Sequence, residues 1–223
     1  MRPALSIFSK RSLRKMFENG LTHNQIVLAE KVMPMFGDKF YLTGGTALAL
    51  LIGHRRSIDF DLASFHQVNS FHIERGLLSQ GFHIEHVMKS TGDEFSIIIE
   101  GIRITFFFFP FKIKPGLIWE RVNIKLPNIL TLGAMKAYAL GRRSKWKDYV
   151  DLYFILKYQH SLEEIIVEAD KIFSKNFNDK LFREQLCYFN DIDHSEVIEY
   201  IESNPSDEEI KKFLESEALN FLI

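Results

Sequence analysis

The chain contains little of what marks several common classes of protein. Its 223 residues include one cysteine, Cys187, so an internal disulfide is impossible and a reducing compartment is expected. Cys187 stands beside Leu186 and Phe189 in a helical pattern, which indicates a core thiol rather than a nucleophile. The 28 lysines and arginines are balanced by 29 acids, and a net charge of −1 creates no overall basic field for nucleic acid.

Long apolar segments are missing as well. The longest apolar run, residues 104–111, contains Thr105 and Pro110 and is far shorter than the ~20 residues of a membrane-spanning helix. The basic residues near the N-terminus are not followed by a continuous apolar region, so we expect no secretory signal. The eight histidines are scattered and have no cysteine partners, which argues against a zinc site. We therefore expect a cytoplasmic protein that does not associate with membranes.

A double glycine follows a short apolar strand over residues 40–43. Thr43-Gly44-Gly45-Thr46 is typical of a turn from a strand into a helix, here predicted over residues 46–52. Glycine lets the backbone approach a ligand closely, and a helix N-terminus offers free N–H groups, so a phosphate fits there. The motif is neither a P-loop nor a dinucleotide fingerprint, and a tight turn without a ligand is the simpler alternative.

Two aspartates, Asp59 and Asp61, lie in a predicted strand over residues 57–62. Their i, i+2 spacing puts both carboxylates on one face and directs three apolar side chains to the core: Ile58, Phe60 and Leu62. Like charges at neighbouring positions repel, and a divalent cation with phosphate oxygens is the common reason for keeping them together. Solvated charges on an edge strand are the alternative. Beside the glycine turn, the pair favours a nucleotidyl-transfer site.

A lysine and two further aspartates lie on the predicted helices 129–141 and 145–159. Lys136 has almost only apolar neighbours, so it either reaches out to water or points at a buried anion. Asp148 and Asp151 share a helix face by their i, i+3 spacing, and buried carboxylates need cationic partners. Three candidates precede them: Lys136, Arg142 and Arg143. A salt bridge that only holds two helices together is the alternative.

The element pattern predicts an α+β protein. A mixed β-sheet with flanking helices is followed by an all-helical C-terminal domain, and we place the domains at residues 1–125 and 126–223, packed together. In the first domain we further predict a helical region over 1–37 with a basic face (Lys10, Arg11, Arg14, Lys15), a helix over 65–80, a strand over 82–87 and a hairpin of 95–100 with 102–109 around Gly101. In the second domain we predict helices that begin at the capping boxes of Ser161 and Ser206, and two more near 177–190 and 194–203. The run 106–109 is expected to be a central strand buried on both faces, and an edge strand at a dimer interface is the alternative.

Four motifs in order resemble one family, the AbiEii/AbiGii-type nucleotidyltransferases of the polymerase-β-like superfamily. These are toxin components of bacterial abortive-infection and type IV toxin–antitoxin systems. The motifs span about residues 40–156 and read Gly44-Gly45-Thr46-Ala47-Leu48, Arg55-Arg56-Ser57-Ile58-Asp59-Phe60-Asp61-Leu62, Met135-Lys136-Ala137 with Arg142, and Lys147-Asp148-Tyr149-Val150-Asp151-Leu152.

The resemblance implies a minimal nucleotidyltransferase sheet, an NTP substrate and magnesium. It implies that Asp59 and Asp61 bind Mg²⁺, that Lys136 contacts the triphosphate and that Asp148 is the acid of the last motif. The implied nucleotide-binding residues are Gly44, Gly45, Thr46, Arg55 and Ser57. Asp151 then supports helix packing.

The resemblance further implies an RNA acceptor, particularly tRNA ends, and a cognate antitoxin. Basic clusters at 54–56 and 142–147 give the RNA acceptor local support, and Trp146 is placed to stack on a nucleobase. Solvated surface is the alternative for each cluster, and a small-molecule or protein acceptor is the alternative for the reaction.

One departure from the family pattern concerns a third carboxylate on a later strand. The aligned position here is Thr105, and a threonine is neither a charged ligand nor a strong base. A second metal site is therefore in doubt, and a nucleotide-binding pseudoenzyme is an alternative function.

Overall fold

The computed structural model describes residues 16–220, which form two compact units, Phe17–Asn128 and a unit that begins at Ile129. The division into domains 1–125 and 126–223 stays a prediction, and the expected basic face at residues 10–15 lies outside the described residues. Within residues 16–220, each helix is too short or too polar to cross a membrane.

The first unit is built on a mixed five-stranded sheet, which confirms the predicted class. Its strands lie in the order β1-β2-β5-β4-β3, with β2 and β5 parallel and the other neighbours antiparallel. The strands are β1 Tyr41–Thr43, β2 Phe60–Ser64, β3 His86–Ser90, β4 Glu94–Ile99 and β5 Ile102–Phe108, with a separate hairpin of β6 Leu117–Trp119 and β7 Ile124–Leu126. The helices are α1 His23–Phe36, α2 Gly44–Ile52 and α3 Ser70–Ser79, and a short 3₁₀ turn spans Glu18–Gly20.

The β4–β5 hairpin forms at the turn that the sequence predicts. Glu100 and Gly101 both have positive φ, 51° and 71°, as a two-residue turn matching the twist of antiparallel strands requires. Strand β3 begins four residues later than expected, at His86, and every residue of it is exposed. This strand forms the far edge of the sheet, where pairing with β4 alone determines its position.

Strand β5 occupies the middle of the sheet, but only one of its faces is fully enclosed. Phe106 is buried against the rings of Phe36 and Phe40, at centroid distances of 5.0 and 5.2 Å. Phe107 and Phe108 are only half-buried, so the expectation of burial on both faces is wrong. The less enclosed face also carries Arg103 and Thr105, two polar side chains that have hydrogen-bond partners there.

The second unit is helical. Its helices are α4 Ile129–Leu140, α5 Trp146–Tyr158, α6 Leu162–Phe173, α7 Asp179–Leu186 and α8 Asp207–Leu219, with a 3₁₀ turn at Ser174–Asn176. Helix α6 opens with the predicted capping box between Ser161 and Glu164. Only half of the second box forms. Ser206 accepts from the Glu209 N–H, whereas the Glu209 carboxylate binds Tyr153 and Lys157 instead.

The predicted helix over 194–203 is absent from the described structure. The Glu196 carboxylate accepts hydrogen bonds from Lys145 at 2.7 Å and from Lys147, and the Asp193 backbone pairs with Ser144 and Trp146. These long-range bonds tie the segment to the start of α5. Tertiary partners therefore override the local helical pattern.

The pairing of Glu196 with Lys145 and Lys147 predicts that the stability of the protein depends on pH. Burial raises the pKa of Glu196, but the hydrogen bonds and charges of Lys145 and Lys147 outweigh it and lower the pKa from 4.5 to about 2. The stabilisation is therefore fully present above pH 4.5 and is lost as the pH falls towards 2. We expect Glu196→Gln to lower the free energy of unfolding by about 1 kcal/mol at pH 7 and by less at pH 3, measured by urea unfolding.

Glu184→Gln is the control for this measurement. The Glu184 side chain is 60% exposed and its Oε1 lies 3.8 Å from Lys180 Nζ on a helix surface, so we expect no change in the free energy of unfolding. If Glu196→Gln lowered the free energy of unfolding equally at pH 7 and pH 3, this would contradict a stabilising ion pair at Glu196.

Candidate active site

The glycine turn joins β1 to α2, and its first glycine contacts an acid. Gly44 has a φ of +69°, and a Cβ added there would clash with Asp61 Oδ2 and lie 3.0 Å from Asp61 Cγ. Thr43 and Asp61 are register partners on β1 and β2, which sets this approach. Only a glycine lets the Asp61 carboxylate lie against the first residue of α2.

The second glycine makes room for two further polar side chains. A Cβ on Gly45 would lie 2.7 Å from Arg55 Nη2 and 3.3 Å from Ser57 Oγ. Both Arg55 and Ser57 are buried. From the sequence we attribute the double glycine to the close approach of a ligand. The packing of Arg55 and Ser57 against Gly45 is a second reason for a glycine there.

Thr46 holds the backbone before the acid pair. Its buried hydroxyl donates to the Asp59 carbonyl and lies 2.8 Å from Ser57 Oγ. The N-cap of α2 is Thr43, which makes no side-chain capping bond. Thr46 therefore does not cap the helix, and its hydroxyl is used inside the fold.

The acid pair straddles the start of β2. The strand begins at Phe60, so Asp59 precedes it and Asp61 lies within it, both half-buried. Phe60 and Leu62 enter the core as expected, but Ile58 is 63% exposed. Placing Ile58 in the core is wrong because the strand starts three residues later than predicted.

An arginine that sequence reasoning missed contacts the acid pair. Arg103 on β5 forms an ion pair with Asp59 Oδ2. Strand β5 runs parallel to β2 with Thr105 opposite Asp61, and Thr105 Oγ1 lies 3.1 Å from Ser96 Oγ. The i, i+2 spacing of Arg103 and Thr105 was the available signal, since it puts both side chains on one face of the strand.

The donor set fits one small, hard cation. Within residues 16–220, no group of three or more histidine, cysteine, aspartate or glutamate side chains could hold a metal. Asp59 and Asp61 supply carboxylate oxygens, one against the Gly44 backbone and one beside Arg103. Mg²⁺ is commonly bound by one or two carboxylates with substrate phosphates and water completing its shell, so these two residues suit it.

The other candidate residues form a buried ion network in the helical unit. Lys136 Nζ lies 2.6 Å from both Asp148 Oδ1 and Asp151 Oδ2, and both aspartates are fully buried. Arg143 Nε donates to Asp148 Oδ2 at 2.9 Å. Burial alone raises the pKa of Asp148, but the charges of Lys136 and Arg143 outweigh it and hold that pKa below its usual value. Lys136 therefore points at buried anions, which was one of its two predicted alternatives.

The basic segment beside this network is largely engaged within the protein. Arg142 is not a partner of the aspartates; its guanidinium lies 3.5 Å above the Tyr138 ring and donates to the carbonyls of Tyr138 and Asn176. Trp146 is buried and stacks on His194 at 5.1 Å. The expectation that Trp146 stacks on a nucleobase is therefore wrong for this conformation.

Comparisons with known proteins find a matching family model and a relative of similar length. Residues 26–108 match the family model described as nucleotidyl transferase AbiEii toxin, type IV toxin–antitoxin system. The chain is 30% identical over 202 residues to an uncharacterized protein of Aquifex aeolicus, aq_aa25, across 86% of this chain and 93% of that protein.

Two solved structures share the fold. MenT4, a nucleotidyltransferase toxin from Mycobacterium tuberculosis, matches with a TM-score of 0.57 and 11% identity over 86% of this chain and 81% of its own. JHP933 from Helicobacter pylori matches with a TM-score of 0.51 and 18% identity, covering 88% of each chain.

The contact between Gly44 and Asp61 predicts that a methyl group at position 44 destabilises the protein. We expect Gly44→Ala to lower the free energy of unfolding by about 1–3 kcal/mol more than Gly81→Ala, because only the methyl group at position 44 clashes with a neighbour; urea unfolding measures the difference. Gly81 is the matched control because its φ of +82° is similar but a Cβ there meets nothing within 4 Å. Equal losses would mean that Asp61 moves aside without cost.

The buried network predicts a large loss when its lysine is removed. Lys136→Met leaves two buried carboxylates without their shared cation, and we expect the free energy of unfolding to fall by about 3–5 kcal/mol. Lys171→Met is the control, because Lys171 is 74% exposed and pairs only across a helix surface with Glu168. A loss below 1 kcal/mol for Lys136→Met would contradict a structural role for the network.

Proposed function

Because the chain belongs to the AbiEii family of nucleotidyltransferases, we propose that it transfers a nucleoside monophosphate from an NTP to a hydroxyl acceptor. The acceptor hydroxyl loses its proton to solvent and its oxygen forms a bond to the α-phosphorus. The bond between the α-phosphorus and the oxygen that bridges to the β-phosphate breaks, and pyrophosphate leaves with that oxygen. The observation that carries the proposal is the Asp61 carboxylate lying against Gly44 at the start of α2, with Asp59 two residues away. An anion-binding helix end and a pair of metal-binding acids thus adjoin each other.

Each candidate residue has a proposed part in this reaction. Gly44 and Gly45 present backbone N–H groups to the phosphates, and Arg55 and Ser57 pack against Gly45 and so support the turn. Thr46 fixes the backbone of Asp59. When bound by Asp59 and Asp61, Mg²⁺ offsets the negative charge of the triphosphate.

Lys136 and Asp148 have proposed parts as the triphosphate contact and the last acid of the motif set. The Lys136 ammonium already lies between two carboxylates, so a phosphate contact requires that it release one of them. Asp151, at the same distance, then keeps the lysine in place. Lys136 would in this way serve both stability and binding.

For the acceptor we propose RNA, with tRNA ends as the first candidate, and for the cellular role a toxin with a cognate antitoxin. Two observations favour other outcomes. Lys145 and Lys147 are both paired with Glu196, which leaves less basic surface for RNA and favours a small-molecule or protein acceptor. Thr105 stands opposite Asp61 where a third acid is expected, which favours a nucleotide-binding pseudoenzyme.

The test uses each of the four NTPs, radiolabelled on the α-phosphate, with Mg²⁺ and total cellular RNA. We expect label in RNA with the parent protein, and at least about a hundredfold less with Asp59→Ala/Asp61→Ala. The matched control is Asp38→Ala/Asp93→Ala, which removes two exposed aspartates and the same charge. We expect it to retain full activity.

The remaining outcomes separate the alternatives. Magnesium-dependent NTP binding without label in RNA, lost in the Asp59/Asp61 variant, would favour another acceptor or a pseudoenzyme. Equal labelling by the parent and the Asp59/Asp61 variant would contradict the proposed site.

A further inference from the structure

We propose that this site uses a single divalent cation and that the Arg103 guanidinium supplies the second positive charge, beside Asp59. The inference rests on the proposed nucleotidyltransferase function. It concerns a residue outside the four motifs, and it follows from the pairing of β2 with β5.

The strand register brings Arg103 to the acid pair. In the parallel pairing Phe60 lies opposite Ile104 and Asp61 opposite Thr105, so Arg103 is level with Asp59. Its guanidinium forms the ion pair with Asp59 Oδ2, while its side chain remains 42% exposed. Since arginine does not lose its proton in proteins, this positive charge is permanent.

The charge count at this position leaves no excess negative charge to attract a second cation. Asp59 and Asp61 contribute two negative charges, and Arg103 beside Asp59 and the buried Arg55 beside Gly45 contribute two positive charges. Opposite Asp61, where a third carboxylate would be needed to attract another cation, Thr105 is hydrogen-bonded to Ser96. No third metal-binding side chain joins the pair within residues 16–220.

The arrangement also assigns the two acids different tasks. Asp59 Oδ2 is held by Arg103, whereas Asp61 lies against the Gly44 backbone at the start of α2. Asp59 and Asp61 would together hold the divalent ion, and Asp59 would share its carboxylate between the ion and Arg103. Arg103 acts as a positioning residue, because it orients Asp59 and repels a second cation.

The test counts bound Mn²⁺, which reports on metal binding without relying on turnover. Stoichiometry and affinity are measured by electron paramagnetic resonance of free Mn²⁺ with a non-hydrolysable NTP analogue present, and the Mn²⁺ that the analogue binds without protein is measured separately and subtracted. We expect one Mn²⁺ per chain for the parent protein. Arg103→Gln is expected to bind Mn²⁺ about tenfold more tightly at low salt, because it removes a positive charge within a few ångströms of the ion.

Three further variants make the result specific. Arg103→Lys keeps the charge and should behave as the parent. Arg121→Gln is the matched control, since Arg121 is similarly exposed at 46% and pairs with Glu18 and Glu30 away from the acid pair. Arg103→Gln/Thr105→Asp removes the guanidinium, adds a third carboxylate at position 105 and should bind two Mn²⁺.

Two Mn²⁺ in the parent protein would overturn the inference, and this result needs no variant to fold. Equal affinities for Arg103→Gln and Arg121→Gln would also overturn it and would leave the Arg103–Asp59 pair a purely structural contact. Both results leave the proposed function intact. By contrast, no Mn²⁺ binding in the parent protein together with no labelled product would refute the proposed function itself.

Discussion

Charge compensation of buried carboxylates is the constraint on which the helical unit depends. Asp148 and Asp151 are fully buried on α5, and the Lys136 ammonium on α4 lies 2.6 Å from each. An unpaired charge in such a place costs several kcal/mol, so α4 and α5 can pack only in the register that brings the three groups together.

The same principle operates in the sheet unit with less burial. Asp59 is paired with Arg103 across the parallel strands, and Asp61 is accommodated by the missing side chain of Gly44. Because α2 begins at that glycine, its N–H groups and positive dipole end lie next to the Asp61 carboxylate. Local turn chemistry and strand pairing together produce a polar site in which both aspartates are half-buried.

The contrast between Arg103 and Lys136 explains why some site residues could be recognised from sequence and others could not. Lys136, Asp148 and Asp151 lie on helices whose apolar neighbours make a buried charge evident, so their pairing could be expected. Arg103 lies 44 residues after Asp59 in the chain; its i, i+2 spacing to Thr105 indicates a shared strand face but does not identify Asp59 as its partner. Their contact depends on which strands pair, and the choice of β5 as the parallel neighbour of β2 is a property of the whole sheet.

The apolar periodicity and the turn residues predict the α+β class and the β4–β5 turn, because short-range backbone preferences act over a few residues. The family is recognised differently, from the resemblance of four ordered motifs. Segments 57–59 and 194–203 were assigned incorrectly for the opposite reason. Their conformation follows from distant partners: Gln25 and Gly20 bind the backbone of Ser57, and Lys145 and Lys147 bind Glu196. Such hydrogen bonds outweigh propensities of a few tenths of a kcal/mol per residue, and they exist only once the chain has folded.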